Sequence, residues 1–307
     1  MANTIGYGQA AVNNTNGFGK APTNNTIDFA EVCADSWSPE TNLTGASAAA
    51  LLLDTYSGAS VAYSLRKLLS TYSGSAIRVR RSSDNTEQDI GFTSNVLDTA
   101  SLLSFVGSNN GYVTTWYDQS GNSADATMAT AVNQPRIVNS GIVDVVNGKS
   151  AILGDGTNDS LRYSGLSLTN PITNFMVNDK VGNTGRFGIW SSVHSFGGAY
   201  DLQTTGIRAY QNGSAFTPIY ANNNQSLISF KSATSGTDWD LYGNGTQVTN
   251  SGENIGTLTG TIISLFDRSN NTNRTNMYMQ EYIVYNADKF GNRADIESNI
   301  NTYYSIY

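Results

Sequence analysis

The chain has one cysteine, Cys33, and one histidine, His194, among 307 residues. A single thiol excludes an internal disulfide framework, and it reads as a small buried side chain. A single histidine leaves any triad that needs an imidazole base with one candidate. The lone ring reads first as an ordinary strand residue. Charge is scarce as well. Asp, Glu, Lys and Arg make up 13% of the residues, about half the ~25% usual in soluble proteins. The formal net charge is −7. The only dense basic cluster is Arg78, Arg80 and Arg81, so a nucleic-acid-binding face is not expected. No apolar run approaches membrane-spanning length, so no membrane partner is expected. The first residues lack the basic region and apolar core of a secretory leader. No glutamate occurs between Glu87 and Glu253. No glycine-rich phosphate loop stands between a strand and a helix.

What is present is Asn, Ser, Thr and Gly, punctuating many short apolar runs. Val61, Leu65, Leu68, Leu69 and Tyr72 recur at helical spacing and predict a helix over Ser60–Ser73, closed by Gly74. Ile77–Arg81 alternates and predicts a strand with Arg78 and Arg80 on one face. Asp98 caps a predicted helix that stops at Gly107. Tyr112–Tyr117 reads as a buried strand, and Asp118–Asn122 as a tight turn. Short strands follow at Gln134–Val138 and Ser150–Leu153. More are expected at Phe187–Val193, Gly206–Gln211, Ser226–Lys231, Thr237–Tyr242, Gln247–Thr249, Thr261–Phe266 and Asn276–Tyr285. Asn212-Gly213 and Asn244-Gly245 are hairpin signals. Ile296, Ile300, Tyr303 and Tyr304 form the apolar stripe of a closing helix over Asn292–Tyr304. So many short strands with frequent turns predict a mainly β chain, a sandwich with a few short helices.

Residues 1–45 differ in kind. Asn3–Gly8, Asn14–Gly19 and Asn25–Ala30 repeat with a period of 11, each unit carrying one ring: Tyr7, Phe18 or Phe29. A unit with one ring and little else cannot bury its own apolar side and needs a neighbour. This part reads as an extended docking arm with a linker, its three rings the anchors. Residues 46–307 read as the sandwich domain.

The strings AYSLRKLLSTYSGSAIRVRRSSDNTEQDIG and WYDQSGNSADAT, within Val61–Thr127, resemble the opening of the catalytic domain of the arabinofuranosidase B family, the family-54 glycoside hydrolases. That resemblance implies a concanavalin A-like (laminin-G-like) β-sandwich. The opening MANTIGYGQAAVNNTNGFGK and the ending NRADIESNINTYYSIY resemble structural proteins of tailed bacteriophages. This second resemblance implies a virion component made in the host cytoplasm: a capsid-attached head-fibre or decoration protein, or a tail-fibre receptor-binding protein. Its implied partners are other virion proteins, copies of itself in a homotrimer, and a host-surface glycan.

The family's chemistry is retaining hydrolysis, which needs two carboxylates about 5–5.5 Å apart. The resemblance implies a nucleophilic Glu downstream of adjacent cysteines, and both features are missing here. Asp201 lies where the nucleophile strand is expected, and Asp267, after the apolar run Ile262–Phe266, matches the acid. One matched carboxylate of two leads to the expectation of a degenerate, non-enzymatic site. Binding is the remaining use of such a face, with aromatic platforms; the candidates are Trp116, Trp190, Trp239, Tyr210 and Tyr242. No cofactor is required by any motif. Asp155 and Asp159, with Asp118 and Asp125, are candidate Ca2+ ligands, and side-chain capping of turns is their alternative use.

Overall fold

The fold is known from a computed structural model, which describes residues 50–182, 185–190, 196–203, 206–211, 214–215, 224–232, 239–248, 259–267 and 274–307, with backbone alone for 196–203, 206–211, 214–215 and 259. Tyr7, Phe18, Phe29, Cys33, His194 and Asn212-Gly213 lie outside the described residues.

Alternation of small turns with β-branched and aromatic runs produces two antiparallel sheets. The longer runs, in spatial order, Glu87–Ile90, Ile77–Arg81, Gly111–Trp116, Ala126–Thr127, Leu161–Thr169, Thr259–Leu265, Gly185–Trp190, Phe196–Gln203, Gly206–Gln211 and Ser214–Ala215. The second is centred on Asn276–Tyr285, which pairs on one side with Val61–Ser64 and Ile152–Asp155 and on the other with Thr173–Lys180. It continues through Ser226–Lys231, Asp240–Gly243 and Thr246–Val248. Arg136–Asn139 pairs with both Gly111–Trp116 and Ile152–Asp155 and so joins the two sheets. Asn244 and Gly245, at φ 48° and 74°, make the two-residue turn that the strand twist favours.

The core between the sheets contains Ile77, Val79, Val113, Trp116, Phe187 and Ile263 from the long sheet, and Met176, Ile228, Met279 and Tyr282 from the second. A further apolar layer covers the second sheet's other face. There Phe175, Val177, Leu227 and Ile283 pack with Leu52, Leu53, Ile296, Ile300 and Tyr304. The Arg293–Tyr304 helix is thus a lid on this sheet, on the face that its Ile296/Ile300/Tyr304 stripe predicts. Thr99–Val106 is also helical, with Asp98 Oδ1 accepting the Ser101 N–H at 3.0 Å and Gly107 closing it at φ 61°. The protein is therefore a mainly β antiparallel sandwich with a few short helices. Leu51–Tyr307 forms one unit by itself.

The helix predicted over Ser60–Ser73 is not formed. Val61–Ser64 is a fully buried strand opposite Glu281–Val284, and the residues after it turn. The helical spacing serves two cores instead of one stripe: Val61 and Leu65 point into the inter-sheet core, and Leu68 into the layer under the closing helix.

Candidate functional site

The WYDQSGNSADA motif acts first on the fold. Val61–Ser64 pairs with a neighbour on one edge only, and a free edge leaves buried N–H and C=O groups in need of partners. Asp118 and Gln119 supply them. Asp118 Oδ1 accepts the Ala62 N–H at 2.8 Å, and the Gln119 N–H donates to Ala62 O at 2.9 Å. Gln119 Oε1 accepts the Leu68 N–H at 2.8 Å, while its Nε2 donates to the carbonyls of Ser64 and Arg66, both at 3.0 Å. Asp118 also accepts from Ser120 and Ala124, and Asp125 Oδ1 accepts the Asp118 N–H. All of these contacts serve the strand edge and the turn beside it. Asp155 and Asp159 likewise serve a turn. Asp155 Oδ1 accepts the N–H groups of Thr157 and Asn158, and Asp159 Oδ2 that of Asp155. Among the described residues no group of three or more His, Cys, Asp and Glu side chains is placed to hold a metal ion.

The long sheet's outward face carries the polar side of its strands from Asp89 to Ser264. Following the backbone register strand by strand gives one continuous row of positions: Asp89, Arg78, Thr115, Thr127, Arg162, Ser264, Gly188, Ala199 and Tyr210. Two residues along, Arg186 stands opposite Asp201, and Asp201 opposite Arg208. Tyr210 and Asp201 are therefore brought to one region of one sheet. Arg78 is paired with Glu87 at 2.7 Å and Asp89 at 3.2 Å. Arg80 donates to Gln134, Asn85 and Ala131 O, and Arg81 to Asp84 and Phe105 O. The basic cluster is fully engaged within the fold.

Asp267 lies just past the Thr259–Leu265 strand. Phe266, at φ 69°, turns the chain, a backbone conformation costly for an aromatic residue. Gly154 accommodates that turn, since a Cβ there would stand 2.4 Å from the Phe266 ring. Asp267 is thereby folded under the row, where it is 0% exposed. Ser160 and Ser264 hydroxyls donate to its Oδ1 at 2.8 and 2.5 Å, and Arg162 and Arg274 both donate to its Oδ2. A carboxylate has about four acceptor sites, and all four are taken. Burial pushes the carboxyl up from its ordinary value, against the opposing pull of Arg162, Ser264 and Ser160. Asp267 as found is thus enclosed and paired with two arginines, an environment that the apolar strand before it does not announce. Arg162 and Arg274 are the residues that sequence reasoning missed. Leu161 and Tyr163 flanking Arg162 at strand period was the signal available for the first; Arg274 had none.

The tryptophans expected as platforms do not reach the surface. Trp116, Trp190 and Trp239 are 0, 0 and 1% exposed, so these rings are buried. Tyr242 is half-buried, its ring edge-on to Phe290 and covered by the Arg293 guanidinium at 3.7 Å. One face of this ring is thus already taken by a cation within the fold.

The catalytic-domain profile of α-L-arabinofuranosidase B matches residues 54–154. A solved family-54 α-L-arabinofuranosidase soaked with a cyclic sulfate inhibitor superposes with a TM-score of 0.61 at 17% identity, over 79% of this chain and 62% of that one. An arabinofuranosidase complexed with arabinofuranosyl-α-1,2-xylobiose gives 0.60 at 18% identity, with the same shares. The chain thus spans 62% of the length of the solved structures it matches. Comparison with curated proteins gives no match. The arabinofuranosidase B catalytic-domain-like β fold is what these likenesses establish.

Proposed function

We propose that the chain is a carbohydrate-active domain of the arabinofuranosidase type, which engages arabinofuranosyl-bearing glycans on the outward face of its long sheet. The observation that carries this reading is the run of polar residues Arg78, Thr115, Thr127, Arg162 and Ser264 in one register across the long sheet, on a scaffold otherwise shared with arabinofuranosidases. Hydrolysis on this face would run through Asp201, because Asp267 has no free acceptor and no solvent contact. A glycan array together with release of nitrophenol from nitrophenyl α-L-arabinofuranoside tests the reading. Turnover that disappears in Asp201→Asn assigns hydrolysis. Saturable binding without turnover assigns recognition alone. Neither binding nor turnover overturns the proposal.

A second reading rests on the repeat of period 11 in residues 1–30. In it, Tyr7, Phe18 and Phe29 dock the arm on a bacteriophage particle, and the sandwich is displayed outward, as a trimer, toward host glycans. Deletion of residues 1–30 then abolishes incorporation into particles while leaving the domain folded. Full incorporation of the truncated chain would sink it.

A further inference from the structure

A pocket of about 220 Å³ is lined among others by Leu65, Leu97, Thr99, Lys149, Ser150 and Tyr303, none of them a member of the polar row. Its walls are held from several sides. The Leu97 N–H donates to Leu65 O at 2.9 Å. Gln280 Nε2 reaches the carbonyls of Val146, Lys149 and Ser150 at 3.1–3.2 Å, and Asn147 Nδ2 those of Tyr304 and Ser305 at 2.7 and 2.8 Å. A pocket pinned this way exists before any ligand arrives, which lowers the ordering cost of binding.

Its polar lining is unspent. The side chains of Lys149, Thr99, Ser150 and Tyr303 make no hydrogen bond and no ion pair among the described residues. The Lys149 ammonium rests 4.4 Å from the centre of the Tyr303 ring, a contact that leaves its charge uncompensated. The charges nearby cancel, because Arg66 and Glu281 neutralise each other through Nε–Oε2 at 2.8 Å and Nη2–Oε1 at 3.0 Å. The pocket therefore presents one net positive charge, three hydroxyl-bearing residues that are not yet engaged, and an apolar wall of Leu65, Val96 and Leu97, while the Tyr304 hydroxyl in its lining is already bound to Gln280 O and Glu281 Oε2. Its volume is below the ~300 Å³ where ordinary ligand pockets begin, which suits one ring and not a chain. We propose that this pocket is a second ligand site, which takes a single hydroxylated carboxylate of sugar size, a hexuronic acid residue in carbohydrate terms, with Lys149 on the carboxylate and Thr99, Ser150 and Tyr303 on the hydroxyls.

The full chain is titrated with glucuronate and galacturonate, with glucose and galactose as neutral counterparts and acetate as the bare carboxylate, followed by ligand-observed NMR. Saturable binding of a uronate is expected, at least about tenfold tighter than the matching hexose and than acetate, and weaker as salt screens Lys149. Lys149→Met keeps the methylene stem over Tyr303 and removes the charge; it is expected to weaken uronate binding by about tenfold or more, and Lys149→Arg to retain it. Arabinofuranoside binding is titrated on the same parent chain, so failure of uronate binding and failure of the proposed glycan face are read separately. No saturable uronate binding by the parent chain overturns the inference. So does a Lys149→Met chain that unfolds earlier yet binds as the parent does, since Lys149 would then serve only the adjacent helix end.

Discussion

The Asp118 carboxylate accepts the backbone N–H of Ala62 at 2.8 Å, across 56 residues of chain. This bond closes the open edge of a strand buried on both faces, where water is not available to do so. The segment that most resembles arabinofuranosidase B is thus built around an architectural contact. The same carboxylate holds Ser120 and Ala124, so one side chain fixes both the strand edge and the turn that approaches it.

Replacing Asp118 with Ala strands the N–H groups of Ala62, Ser120 and Ala124. Ala62 and Ala124 are buried and Ser120 is half-buried, so at about 1–3 kcal/mol for each buried unsatisfied group a loss of about 2–6 kcal/mol is expected. Asp118→Asn keeps one carbonyl oxygen and is expected to cost about half as much. Urea unfolding of both variants measures the difference, and equal costs would show that acceptor count is not what matters.

The sequence revealed those elements whose burial is one-sided. Ile77–Arg81 alternates because Ile77 and Val79 face the core while Arg78 faces out. Ser226–Lys231 and Asn276–Tyr285 are found at the predicted bounds because each is a dense run of β formers. Thr173–Lys180 has no such signal, although it lies inside the second sheet between Asn276–Tyr285 and Ser226–Lys231. Its Thr173, Asn174 and Asn178 are buried, and buried amides erase the apolar signature of a two-sided strand. Val61–Ser64 was misread for a related reason, its neighbours being shared between two cores. At the candidate site, Asp267 was recognisable from the apolar strand before it. Its enclosure was not, because Arg162 lies 105 residues away and is brought in only by sheet register.

Trp116 tests whether the buried tryptophans serve the core or a ligand. Its ring is 0% exposed and 5.8 Å from that of Tyr63. Trp116→Ala is expected to cost about 3–5 kcal/mol of stability. Glycan affinity measured well below the lowered Tm should be unchanged, and a selective loss of affinity with stability intact would restore the platform reading.

Arg66 and Glu281 are a buried two-point ion pair, with Ser64 Oγ donating to Glu281 Oε2 at 2.8 Å and Arg66 Nη1 to Asn299 Oδ1 at 2.9 Å. Removing one partner leaves a buried charge without its counter-ion. Glu281→Leu is expected to destabilise by about 3–5 kcal/mol. The double variant Arg66→Met/Glu281→Leu should recover most of that, because an apolar pair of similar volume avoids both desolvation costs. A double-mutant cycle in urea reads the coupling, and additive losses would argue that the two side chains act independently.

Asp159 gives the pH dependence. Burial pushes its carboxyl up to about 7 from 3.8, with the Asp155 charge adding to burial and the Asp155 N–H and Arg274 opposing. A folded-state pKa above the unfolded value means that the folded chain holds the extra proton between about 4 and 7. Stability from this group is therefore full below the lower value and falls as pH rises through the upper one, with a slope of at most about 1.4 kcal/mol per pH unit. Asp267 and Glu297, also raised by burial, contribute in the same direction, so the test is a difference. Asp159→Asn removes one titrating proton, and its urea-derived stability should fall less steeply than that of the parent chain across this window. Parallel curves for the two proteins would mean that Asp159 titrates alike in the folded and unfolded chains.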